Sequence, residues 1–104
     1  MIREPKCKIT VIKRSVNQDI IDTYMKDEMK TRTLCSRFKE GDTFLVTSEF
    51  DMPENFCAWA WADIRQDILA IVNDAQFPWM AQKGAIIGGC TDWFRPVLFK
   101  IEKL

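Results

Sequence analysis

Histidine is absent from this 104-residue sequence, and that zero removes the Ser-His-Asp and Cys-His catalytic arrangements and every metal site that needs an imidazole. Net charge is absent as well. Fifteen Lys and Arg balance fifteen Asp and Glu, which argues against a polyanion as the main partner and makes nucleic acid an unfavoured one. No run of ~18 apolar residues occurs, because Asp63, Arg65 and Asp67 break the longest stretches, so no membrane span is expected. Residues 1–6 have no apolar core of the kind a secretory leader carries, and the expected compartment is the cytoplasm. There is no Cys-x-x-Cys pair, no repeat and no low-complexity linker. Gly88-Gly89 has no helix after it, which rules out a phosphate loop of the strand-loop-helix kind.

Hydrophobic residues make up 47% of the chain and charged residues 29%, the balance of one folded domain. Residues 6–13 alternate, with Cys7, Ile9 and Val11 on one face and Lys6, Lys8 and Thr10 on the other, which predicts a half-buried strand. Ser15 with Gln18 has the form of a capping box, and Ile20, Ile21, Tyr24 and Met25 then share a helical face, so a helix is expected over about 16–26. Residues 27–40 show no clean period and read as an ordered loop or short extra helix anchored by Cys35 and Phe38. Glu40-Gly41-Asp42 signals a turn into a second strand over 43–47.

After Pro53 and Asn55, alanine-rich sequence from Cys57 runs into Trp61, Ile64, Ile68, Ile71 and Val72 at three- and four-residue intervals. This predicts a strong amphipathic helix ending near Asn73. Phe77-Pro78-Trp79-Met80 reads as an apolar connector across the core. Residues 85–90 and 97–102 then close the chain as an antiparallel hairpin, with Val97, Phe99 and Ile101 facing in. Gly88-Gly89 suggests a bulge or a close approach by another backbone or a ligand. The expected architecture is a single α+β domain of order β-α-β-α-β-β, with about four mostly antiparallel strands and two helices on one face.

Several motifs stand out together. Lys6-Cys7-Lys8-Ile9-Thr10-Val11, Phe38-Lys39-Glu40-Gly41, Phe56-Cys57 with Trp59-Ala60-Trp61-Ala62-Asp63-Ile64, Phe77-Pro78-Trp79-Met80, and Cys90-Thr91-Asp92 with Arg95-Pro96-Val97 span almost the whole chain. As a set they resemble a family of small uncharacterised bacterial and archaeal proteins, and the resemblance implies no activity. The family pattern has glycine after the last Thr-Asp, where this chain has Trp93, so the role of that loop is in question.

Cys57 is the candidate nucleophile. A helix starting beside it would lower its thiol pKa through unpaired N–H groups and the helix dipole, whereas a start at Pro53 would bury it as an inert hydrophobe. Cys35, Cys57 and Cys90 could converge in space with Cys7 as a fourth thiolate for zinc or iron, but the spacings of 28, 22 and 33 positions argue against local chelation. The sequence requires no cofactor. Reduced thiols are expected rather than disulfides.

Asp92 and Arg95 flank the hairpin loop and can hold a polar ligand, or can pair with each other and cap backbone groups. Asp63 follows Trp61 on the helix. Trp59 and Trp61 lie about 200° apart, so one must meet the sheet and the other a second surface: the Phe77–Trp79 connector, a ligand pocket or another subunit. Trp93-Phe94 at the hairpin tip raises the same alternatives. Residues 1–42 carry ten basic and seven acidic side chains, and the Lys6, Lys8, Lys13 and Arg14 cluster reads as a solvated strand face. The expected function is a non-catalytic binding or interaction protein that self-associates as a homo-oligomer or binds a small molecule. Its binding residues would be Trp59, Trp61, Asp63, Trp79, Cys90, Asp92 and Arg95. The alternatives are a cysteine-dependent enzyme or redox protein using Cys57 with Cys90 and Asp92, and a thiolate metal protein.

Overall fold

In a computed structural model that describes residues 4–104, the chain folds as β1 (Cys7–Arg14), α1 (Gln18–Tyr24), β2 (Thr43–Val46), α2 (Ala58–Val72), β3 (Ala85–Gly89) and β4 (Val97–Lys103), with one 3-10 turn at Asp27–Met29. The four strands form one antiparallel sheet in the order β2-β1-β4-β3, and the element order is the expected β-α-β-α-β-β. Met1–Arg3, part of the segment read for a leader, lie outside the described residues. No helix among the described residues is long and apolar enough to cross a membrane.

The alternation seen in the sequence sets the sheet's two faces. Cys7, Ile9 and Val11 of β1 and Val97, Phe99 and Ile101 of β4 are buried on the side that receives α2. Across from them, Trp61, Ile64, Ile68 and Ile71 form the buried stripe of α2, one turn apart as an amphipathic helix requires. The other face is open. There Glu102 lies between Lys8 at 3.6 Å and Lys100 at 3.4 Å; a hydrogen bond from Gln82, helped by these two cations, holds its carboxyl below the usual range. Between Val11 and Lys13 the pairing of β1 with β4 shifts register at a bulge.

α2 ends in a Schellman motif. The N–H of Asp74 bonds the Ile71 carbonyl and that of Ala75 the Ala70 carbonyl, with Asp74 in the left-handed region at φ 64°. Lys103 Nζ reaches the Val72 carbonyl at 2.9 Å, which ties the helix end to β4.

α1 is shorter than its sequence suggests, and the Ser15–Gln18 capping box does not form. Asn17 takes the N-cap position without a side-chain cap, and its Nδ2–H donates to the Trp93 carbonyl at 2.6 Å. Gln18 bonds Asp22 on its own helix. Only Ile21 of α1 is buried, so the packing on the sheet is supplied by α2.

An aromatic cluster pins the aperiodic segment before β2. Phe38 packs edge-on to Phe99 at 5.2 Å and to Phe44 at 5.8 Å, and Phe56 lies 5.1 Å from Phe38. Arg14 binds Glu40 and the Cys35 carbonyl from the end of β1. The core thus fixes Phe38 and Phe56, and with them their neighbours Arg37 and Cys57.

Gly88 is occupied from the helix side. A Cβ there would lie 2.8 Å from Asp67 Oδ2 and 3.3 Å from Ile64 Cγ2, so side chains of α2 make a close approach at this glycine. Burial raises the Asp67 carboxyl above its ordinary value.

Candidate functional site

Three chain segments meet at the end of the sheet where β3 leaves and β4 enters. The segment before β2 brings Cys35, Arg37 and Phe38; the start of α2 brings Cys57, Trp59 and Ala60; the β3–β4 loop brings Cys90, Thr91 and Asp92, with Trp93, Phe94 and Arg95 beyond them. They enclose a mainly apolar cleft of about 430 Å³. Small-molecule sites commonly measure about 300–1,000 Å³ with a few polar groups at fixed places.

Cys57 is the N-cap of α2, with an extended backbone and no side-chain cap bond, so the helix starts beside it and not at Pro53. Its thiol is half-buried on the cleft wall. Cys90 is buried, and its Sγ accepts the Val97 N–H at 3.3 Å where β4 begins. Cys35 is half-buried on the opposite segment. All four cysteines are free thiols.

Cys7 does not join the other three. It pairs with Lys103 at the far end of β4, whereas Cys90 bonds Val97 at the near end. Six strand positions separate these ends, about 20 Å. Burial raises the Cys7 thiol to about 11, against a smaller opposing effect of Lys103. The four-thiolate arrangement is therefore corrected: among the described residues no three Cys, Asp or Glu side chains are placed to hold a metal ion.

The two helical tryptophans separate as their 200° spacing requires. Trp61 is 9% exposed and packs on Phe56 at 6.2 Å, which places it in the core and outside the cleft lining. Trp59 is 66% exposed on the cleft, and its indole N–H donates to Thr91 Oγ1 at 2.7 Å. Asp63 does not reach the cleft. Its Oδ2 accepts the Thr91 N–H at 2.7 Å and the Thr91 hydroxyl at 2.9 Å, which makes it the clamp between α2 and the loop.

Asp92 does what short acidic loop residues commonly do. Its Oδ1 accepts the N–H groups of Phe94 and Arg95 at 3.1 Å each, and its Oδ2 lies 3.6 Å from Arg95 Nε. Arg95 therefore enters the cleft already paired. The φ of Trp93 is not positive, so nothing in the backbone demands glycine at this position. Trp79 lies outside the cleft, exposed and against Phe77 at 5.3 Å.

Sequence reasoning singled out neither Thr91, which it met only inside a motif, nor Arg37. Arg37 sits in a stretch without period, and its one signal was the neighbouring anchor Phe38. It is exposed and donates from Nη2 to the Phe56 carbonyl at 3.1 Å.

Compared with protein-family models, curated proteins and solved structures, the chain matches none. The resemblance noted in its motifs therefore rests on those motifs alone.

Proposed function

We propose that this chain is a non-catalytic binding protein that holds a small molecule in the cleft between the start of α2 and the β3–β4 loop. The carrying observation is convergence: three segments far apart in sequence place three thiols, two arginines and two exposed indoles around one mainly apolar cleft. A ligand bound there stabilises the folded chain in proportion to its concentration over Kd. Thermal unfolding against a set of neutral, anionic and cationic ring fragments tests this. The expected result is a subset that raises the Tm of the wild-type chain and of Trp79→Leu but not of Trp59→Leu. Fragments that raise all three equally, or none, contradict the proposal.

Self-association is proposed to use Trp79, the exposed indole outside the cleft. Exposed aromatics at a surface are typical anchors of protein contacts.

The position of Cys57 favours a second reading, thiol-dependent chemistry in the same cleft. Cys57 caps α2 and is part-exposed on the cleft wall, where an electrophile that enters the cleft meets its sulfur. Rapid, selective alkylation of Cys57 by iodoacetamide at neutral pH, followed by intact and peptide mass, supports it. Thiols that stay inert until unfolding exclude it.

A further inference from the structure

Trp59 is two-thirds exposed, yet its indole is not free to turn. The ring N–H is held by Thr91 Oγ1 at 2.7 Å, and that hydroxyl donates to Asp63 Oδ2 at 2.9 Å. A ring fixed in orientation with its surface uncovered is a ready-made stacking platform, because its side-chain ordering is already complete before a ligand arrives. Trp93, on the loop that forms another wall, is 67% exposed; among the described residues its indole has no hydrogen bond and no ring contact.

Charge in the cleft is uneven. Arg95 is neutralised by Asp92, whereas Arg37 commits one donor to the Phe56 carbonyl and has no carboxylate partner among the described residues. Among the side chains that line the cleft, two guanidiniums face one carboxylate; the Asp63 carboxylate stands behind Thr91, with the two hydrogen bonds to its Oδ2 both coming from that residue.

We infer that the cleft takes a planar aromatic ring carrying a carboxylate or comparable anion, with the ring against Trp59 and the anion on Arg37. This rests on the cleft being the binding site. A saturated ring of the same size fills the apolar space without stacking, and a neutral aromatic ring leaves Arg37 without a charge-assisted bond. Both should bind more weakly than the aromatic anion.

Three probes separate these contributions by titration calorimetry and by amide NMR shifts: naphthalene-2-carboxylate, 2-naphthamide and decahydronaphthalene-2-carboxylate. The expected result is binding of the aromatic carboxylate about tenfold or more tighter than either other probe, with amide shifts centred on residues 35–38, 57–60 and 90–97. In Arg37→Gln its affinity falls to that of the amide, and in Arg37→Lys, which keeps the charge, most of it returns. Thr91→Val, which frees the indole but leaves the cleft walls in place, narrows the preference for the flat ring. Equal binding of the amide or the saturated acid at the cleft overturns the inference and leaves the cleft as a binding site. Shifts elsewhere, or no binding by any of the three alongside a fragment set that also fails, overturn both.

Discussion

Asp63 holds Thr91 twice, taking its backbone N–H at 2.7 Å and its hydroxyl at 2.9 Å on the same carboxylate oxygen. The pair fastens the β3–β4 loop to α2, and through the Thr91 hydroxyl it also orients Trp59. Asp63→Ala leaves the part-buried Thr91 N–H without its acceptor and should cost about 1–3 kcal/mol. Thr91→Val keeps the backbone bond and should cost about 1 kcal/mol, while freeing the indole. Urea unfolding gives both costs, and NMR relaxation of the resolved Trp59 indole N–H gives the motion of that ring. An Asp63→Ala variant no less stable than Thr91→Val contradicts the clamp.

The contact between Gly88 and α2 gives a second test. Gly88→Ala drives a methyl group into Asp67 Oδ2 and close to Ile64, a misfit of about 1–3 kcal/mol. In an Asp67→Ala background the nearest obstacle is gone, so the same substitution should cost less. Burial also raises the Asp67 pKa above 3.8, so the folded chain favours the protonated carboxyl. That contribution is complete below the unfolded value and is lost as pH rises through the raised folded one. Asp67→Asn should accordingly exceed the wild type in stability at pH 7, with the gain fading in acid; a gain that is the same at pH 3 and pH 7 is the contrary outcome.

Cys7 should dominate the alkaline limb of stability. Its folded thiol is pushed up to about 11 by burial, from an ordinary 9.0. Stability is unaffected by this group below about 9 and declines between 9 and 11, where the unfolded thiol ionises and the folded one does not. The loss is roughly 2–3 kcal/mol. Cys7→Ala creates a cavity and lowers stability at every pH, but it should flatten the slope over this interval. An unchanged slope in the variant contradicts the assignment.

Trp79 carries the proposed self-association. Sedimentation equilibrium over a wide concentration range should show association by the wild type that weakens in Trp79→Ala, with Trp93→Ala unchanged. A strictly monomeric wild type at high concentration excludes self-association.

Much of this fold is legible in the residues because burial imposes simple periods. The alternation through Cys7, Ile9 and Val11 and the stripe from Trp61 to Ile71 give the sheet face and the helix that covers it. α1 misled because Ser15 and Gln18 have capping chemistry, while the chain uses Asn17 to reach Trp93, a contact 76 positions away that no local rule contains. Of the cleft, Cys57, Trp59, Cys90, Asp92 and Arg95 are visible as unusual residues, but their meeting depends on hairpin and helix ends converging. Cys7 shares their chemistry and is removed from them by the length of β4. Arg37 has no period to mark it, and only the aromatic cluster around Phe38 gives it a place.

The central claim is that the cleft beside Trp59 is where this protein meets its ligand. It is tested most directly by amide chemical-shift mapping with the fragment that raises the Tm most. The account predicts saturable shifts confined to residues 35–38, 57–60 and 90–97, lost in Trp59→Leu. Saturable shifts centred on the open sheet face or on Phe77 and Trp79, with the cleft unmoved, would contradict it.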